Sequence, residues 1–196
     1  MADALTTTAE LSSEIEDIID QGEEFVYIVS AYIELSHQYH DKIEAALKNA
    51  DKVALIIRDD GEIKKADLEW FRSVKKLKIY KVPRLHSKVY MNENEAVVTS
   101  LNLNGQSIAK NYEVGVLLDN DEDAYDDILE RVESYMQKKY LWNPNEIKEL
   151  PSSGVTPDSS SKTAGKKPTR SAKGVKTVST TKTKPSASKT SRSRTK

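Results

Sequence analysis

Two short apolar runs, Phe25-Val26-Tyr27-Ile28-Val29 and Val53-Ala54-Leu55-Ile56-Ile57, restrict the possible folds of this chain more than anything else in it. Neither holds a charged or turn-forming residue, so each reads as a strand covered on both faces. Such strands lie inside a sheet that has helices on either side. The intervening segments supply the helices. Thr7 or Thr8 can cap the first, with Glu10 as capping-box partner, Leu11, Ile15, Ile18 and Ile19 at helical spacing, and Gly22 as the stop. Ser36 or Asp41 starts a second helix carrying Ile43, Ala46 and Leu47. After the Asp59-Asp60-Gly61 turn, a short third helix carries Leu68, Phe71 and Val74, and a third strand runs from Leu77 to Val82, closed by Pro83. The spacing predicts a final helix from about Asp121 to Lys139, with Ala124, Ile128, Val132, Tyr135 and Met136 inward. Helix alternating with strand implies α/β layers joined by right-handed crossovers.

The stretch from Arg84 to Gly115 departs from that rhythm. Leu85 to Met91 alternates, Asn92-Glu93-Asn94 makes a turn, and Glu95 to Ser100 is rich in strand formers, so a hairpin is predicted. A further strand, Tyr112 to Leu118, follows. The fold class is therefore α/β, with a mixed, mostly parallel sheet flanked by helices. A period of two puts His86, Lys88 and Tyr90 on one face of the first hairpin strand. Ser100 and Asn102 share a parity at the end of the second, and Glu113 opens the third. An imidazole, an ammonium, a hydroxyl, a carboxamide and a carboxylate can thus meet at one end of the sheet. That set suits a phosphate, with Lys88 and Asn102 donating to its oxygens and His86 attacking or moving a proton.

His86-Ser87-Lys88, Ser100-Leu101-Asn102 and Asn111-Tyr112-Glu113 together resemble the phospholipase D superfamily, whose signature is H-x-K-x4-D-x6-G-S-x-N with a later glutamate. Here Glu93 takes the place of the aspartate, the following gap is one residue shorter, and Thr99 replaces the glycine. The resemblance implies a phospholipase D-like α-β-α sandwich and a metal-independent phosphodiesterase that needs no cofactor. It implies two histidines acting on one phosphate. A chain with a single H-x-K motif supplies the second by forming a homodimer. One His86 would become a phosphohistidine while the other serves as acid and then base. Lys88 and Asn102 would stabilise the phosphoryl oxygens, Ser100 would contact phosphate or lysine, and Glu113 would accept from the His86 Nδ1–H. Glu93 carries no catalytic role in this scheme.

Charge is divided unevenly along the chain. The 196 residues sum to −1, but Pro151 to Lys196 holds twelve Lys or Arg against Asp158 alone, which is +11. The remainder, with 30 − 12 = 18 basic and 31 − 1 = 30 acidic residues, is −12. Residues 1–150 are therefore expected to form one domain. Residues 151–196, rich in Ser, Thr and Lys and without an aromatic, are expected to be a disordered basic tail able to touch nucleic acid. There is no cysteine, no apolar run of membrane-spanning length and no secretory signal at Met1-Ala2-Asp3-Ala4, so a cytoplasmic protein is expected.

A nuclease is the leading functional expectation. A phosphate-binding module without catalysis, or a phospholipase at an anionic membrane, are the alternatives. Other conspicuous residues have structural readings: Tyr32 as packing with a wet hydroxyl, Trp70 and Trp142 as anchors, and His37 with His40 as a surface pair on one helical turn. The acidic run from Asp119 to Asp127 favours a helix N-terminus and faces water.

Overall fold

The computed structural model describes residues 2–104 and 111–146. The expected boundary after Leu150 and the expected disorder of 151–196 fall outside them. Eight strands form one sheet: β1 (Asp3–Leu5), β2 (Phe25–Ser30), β3 (Lys52–Arg58), β4 (Lys78–Val82), β5 (Lys88–Asn92), β6 (Glu95–Thr99), β7 (Gly115–Asp119) and β8 (Leu141–Trp142). Their order is β1-β7-β6-β5-β2-β3-β4-β8. The described helices are α1 (Thr8–Gln21), α2 (His37–Asn49), α3 (Lys65–Ser73) and α4 (Asp123–Tyr135).

Alternation in β2 divides the core into two layers. Val26 and Ile28 pack with Leu11, Ile15, Ile43 and Phe71 of the first three helices, whereas Tyr27 and Val29 pack with Tyr125 and Val132 of α4. Both faces of the central strands are covered, as their unbroken apolar runs require. Thr7 caps α1 in a full capping box with Glu10, and Ser36 rather than Asp41 caps α2.

The sheet is mixed, but parallel pairing is confined to β2-β3-β4, and the other five of the seven pairings are antiparallel. The expected predominance of parallel strands therefore holds only for that trio. The cause lies at Pro83 to Ser87. A parallel return needs a crossover of roughly a dozen residues, and this connection is far shorter. It turns sharply at Arg84, which has a φ of 58°. The chain re-enters the sheet at the end it has just left, and β5 runs antiparallel beside β2.

Three expected boundaries move. The first hairpin strand begins at Lys88 rather than Leu85, and the last begins at Gly115 rather than Tyr112. The final helix stops at Tyr135, because the Met136 N–H bonds to the Glu133 carbonyl and tightens the last turn. A 3₁₀ turn at Lys138–Tyr140 then brings Trp142 back to pair with Ile79 and pack edge-on against Phe71. The edge strands β1 and β8, three and two residues long, carry no periodic signal that a sequence reading could detect.

A polar knot fixes the β5–β6 reversal. Asn92, fully buried, donates to the Ile18 carbonyl at 3.0 Å, and its side-chain oxygen accepts from the Asn94 and Glu95 amides. The Tyr125 hydroxyl donates to the Asn92 carbonyl. Glu93, in the polar turn, accepts the backbone N–H groups of Glu23, Glu24 and Phe25 at 2.9, 3.2 and 3.3 Å. Burial pulls its carboxyl upward, but these amides outweigh that and hold it below the usual glutamate range. Glu93 thereby ties the start of β2 to the hairpin.

Thr99 also finds a compensating neighbour. It pairs with Gly115, where an added Cβ would lie 3.0 Å from the Thr99 Cβ and 2.6 Å from Leu11 Cδ2. The Thr99 hydroxyl donates to the Val114 carbonyl at 2.8 Å and accepts from the Leu101 N–H at 3.1 Å.

Glu93→Ala should lower stability by about 1–2 kcal/mol by stranding three amides, read as a lower denaturant midpoint with unchanged m-value. The depressed carboxyl contributes stability that is present above the unfolded glutamate range near pH ~4.3. That stability is lost as pH falls through the lower folded value, so the acid limb should flatten in the variant. Gly115→Ala should cost about 1–3 kcal/mol by overpacking against Leu11 and Thr99, measurable in the same titration.

Candidate active site

The antiparallel turn at β5 brings three chain segments to one sheet end: the exit of β2, the approach to β5 and the exit of β6. His86 lies exposed in the turn before β5, and Lys88 is the first residue of the strand, only 7% exposed. The Lys88 ammonium stands 3.3 Å from His86 Nδ1 and donates to the His86 carbonyl at 2.9 Å. Burial lowers the Lys88 ammonium, against the opposing pull of Glu113, which is likewise 7% exposed.

Glu113 differs from its expected role. Its carboxylate accepts from the Ser100 hydroxyl at 2.5 Å and from the Asn111 side-chain amide at 3.2 Å, and Lys88 is what reaches His86 Nδ1. Two connections explain this. The Val114 N–H bonds to Ser100 Oγ and the Ser100 N–H to the Val114 carbonyl, extending the β6–β7 pairing in irregular form and drawing Glu113 over Ser100. Thr8, at the start of α1, holds the Asn111 carbonyl. An imidazole whose Nδ1 accepts from an ammonium carries its proton on Nε2.

Asn102 sits at the same end. Its side-chain oxygen accepts from the Tyr32 N–H at 3.3 Å, which leaves the NH₂ as the end able to donate. The expected residues His86, Lys88, Ser100, Asn102 and Glu113 thus gather at one edge. Ser30 is the last residue of β2. It is fully buried, donates to the Tyr32 carbonyl at 2.7 Å, and accepts from the Leu103 N–H at 3.0 Å. A hydroxyl closing an otherwise apolar strand was the available signal. The Tyr90 hydroxyl, on the parity of Lys88, fastens the Leu101 carbonyl at 2.9 Å. These bonds hold the Asn102 loop against β2.

A cleft of about 570 Å³ adjoins the site on the α4 face. His86, Lys88 and Ser100 form one side of it, and Val98, Ile128, Arg131, Val132 and Tyr135 contribute to the rest. Arg131 and the cleft itself escaped the sequence reading, because Arg131 falls beside the inward stripe of α4 rather than in it. His40 meets His37 edge-on, with ring centroids 6.0 Å apart. It stacks on Trp70 with centroids 4.2 Å apart and its Nε2 lies 3.3 Å from buried Asp67.

The arrangement of charge and donors fits an anionic tetrahedral group bound at His86, and comparisons with known proteins agree with the fold. Nuc, a phospholipase D family member from Salmonella typhimurium, is 16% identical with a TM-score of 0.60, the match covering 72% of this chain and 97% of that one. NucT from Helicobacter pylori is 14% identical, with the same TM-score and coverage. TrmBL2, an archaeal chromatin protein described as showing a novel mode of DNA binding, is 11% identical with a TM-score of 0.51, covering 68% of this chain and 51% of that one. No curated protein sequence matches. The family model described as "Cardiolipin synthase, PLD-like domain" matches residues 15–140, so this chain belongs to the phospholipase D-like family.

Proposed function

We propose that this protein is a metal-independent phosphodiesterase that cleaves nucleic acid through a phosphohistidine, as a homodimer. The observation that carries the reading is an exposed imidazole, His86, within reach of a buried ammonium, Lys88, at the sheet end that also holds Ser100, Asn102 and Glu113. Burying an ammonium is costly unless it is paired or put to work there.

In the proposed reaction the incoming phosphate takes the Lys88 ammonium and the Asn102 NH₂ onto its non-bridging oxygens. Nδ1 of His86 is then released to carry the proton, and Nε2 attacks phosphorus. The P–N bond forms as the P–O bond to the leaving oxygen breaks, and that oxygen takes a proton from His86 of the second copy. The same second imidazole then removes a proton from water, whose oxygen attacks phosphorus and breaks the P–N bond. Glu113 positions Ser100 and sets the charge beside Lys88.

An incompletely covered apolar face supports the dimer. Val98 pairs with Val116, which is 39% exposed, and Val114 just beyond is 62% exposed. This strip continues the cleft of Ile128, Val132 and Tyr135 beside His86, where a second copy would exclude water and place its imidazole near the first. The basic tail, with +11 against a body of −12, and the likeness to a DNA-binding chromatin protein both support nucleic acid as substrate. One observation favours binding without cleavage: the Lys88 ammonium is engaged by His86 itself.

Cleavage of DNA or RNA should persist in EDTA and fall by at least about 100-fold in His86→Ala. Intact substrates under those conditions would leave the binding-only reading. The solution mass should be twice that of one chain, and a strict monomer would remove the two-histidine mechanism. Because burial lowers the Lys88 ammonium, activity should decline on the alkaline side from below the ordinary lysine range near pH ~10.4. Lys88→Arg, which stays charged, should abolish that limb even where its maximal rate is lower.

A further inference from the structure

The acidic body carries one basic surface far from His86. From Arg72 to Lys81 the chain holds Arg72, Lys75, Lys76, Lys78 and Lys81 with no acid among them. The turn from α3 into β4 presents them, and Lys48 at the end of α2 joins them. Two grooves meet there along Val74 and Lys75. One, of about 440 Å³, includes Lys48 and Lys76, and the other, of about 310 Å³, includes Arg72, Lys78 and Trp142. Lys48, Lys75, Lys76 and Lys78 are exposed, and none forms an ion pair within the described residues. By contrast Lys42, Lys52, Lys64 and Lys65 are all paired. The one carboxylate lining these grooves, Glu44, is held by the Trp70 indole N–H at 2.8 Å.

We propose that this paired groove binds the sugar-phosphate backbone of the nucleic acid whose cleavage the preceding subsection assigns to His86, as a second contact remote from the reacting phosphate. In a chain whose body has a net charge of −12, four neighbouring lysines left without carboxylates form a local attractive field for a polyanion. The concave shape suits a strand. A membrane surface would call for several protruding apolar side chains among the lysines, whereas Leu77 is buried, Val74 and Trp142 are half-buried, and Leu141 is the one exposed large apolar side chain among the lining residues. The Trp142 ring packs against Phe71 and beneath the Lys81 ammonium, 4.8 Å from its centroid, which leaves it a wall of the groove rather than a wedge. Lys78 begins β4, and the catalytic edge lies past the other end of that strand. At ~3.3 Å per residue the two are on the order of 20 Å apart. A strand with one phosphate per ~3.4 Å needs about six nucleotides or more to touch both. Substrate length is therefore what this surface selects.

The test uses the full chain carrying Lys75→Glu, Lys76→Glu and Lys78→Glu together, with thermal unfolding as the check on folding and the triple Gln variant as replacement should the first not fold. Binding of a 30-nucleotide single strand, read by fluorescence anisotropy over a salt series, should weaken roughly tenfold or more, and the log–log salt slope should drop by about 2, at ~0.7 per lost phosphate contact. Hydrolysis of bis(p-nitrophenyl) phosphate should match the parent. Unchanged strand affinity and slope in a folded variant would overturn the proposal. So would lysine-dependent binding to phosphatidylglycerol vesicles in the absence of strand binding. Loss of strand binding in a protein that cleaves nothing would uphold the groove and reject the catalytic reading.

Discussion

The reversal at Asn92-Glu93-Asn94 is the constraint from which the site follows. Two strands joined by so short a turn must run antiparallel, so whatever precedes the first and follows the second lies at one end. His86 and Lys88 precede, and Ser100 and Asn102 follow. The turn itself is locked by groups outside it: Ile18 of α1 and Tyr125 of α4 hold Asn92, and the amides at the start of β2 hold Glu93. Helices on opposite faces of the sheet therefore converge on one turn, at the end remote from His86. Rigidity of the site is set from a distance, through β5 and β6 acting as struts.

At the His86 end the polar groups divide their labour by burial. Ser30 donates to the Tyr32 carbonyl while accepting from the Leu103 N–H, and Tyr90 donates to the Leu101 carbonyl, so neither has a proton left to donate to a ligand. Glu113 is committed to Ser100 and Asn111. What remains for a ligand is the imidazole of His86, the ammonium of Lys88 and the amide of Asn102. These differ in how they can be recruited: the first is exposed, the second is half spent on its neighbour, and the third is oriented by a backbone donor.

Much of this was legible from residue order. The apolar runs at Phe25 and Val53, the capping residue Thr7 and the spacing of His86, Lys88, Ser100, Asn102 and Glu113 translate directly into a layered fold and a gathered set of side chains. What was not legible depends on tertiary contact. Glu93 looks solvated in a string of polar letters, and only the fold brings the amides of Glu23 to Phe25 to it. The Glu113 to His86 bond failed as an expectation because Ser100 and Asn111, close in space, compete for the same carboxylate. The short edge strands have too few residues for any periodicity, and the α4 cleft exists only between two elements. Parallel pairing was overestimated because helix–strand alternation says nothing about the abrupt turn after Pro83.

The pairing of Thr99 with Gly115 bears on how kinship is judged in chains like this one. A Cβ at position 115 would meet Leu11 Cδ2 at 2.6 Å and the Thr99 Cβ at 3.0 Å, so the threonine is accommodated by a facing position that has no side chain. A pattern written along a single strand registers threonine as a missing glycine, whereas the bare position stands across the rung. Family membership would be read more faithfully from pairs of residues facing each other across the ladder than from letters in a row.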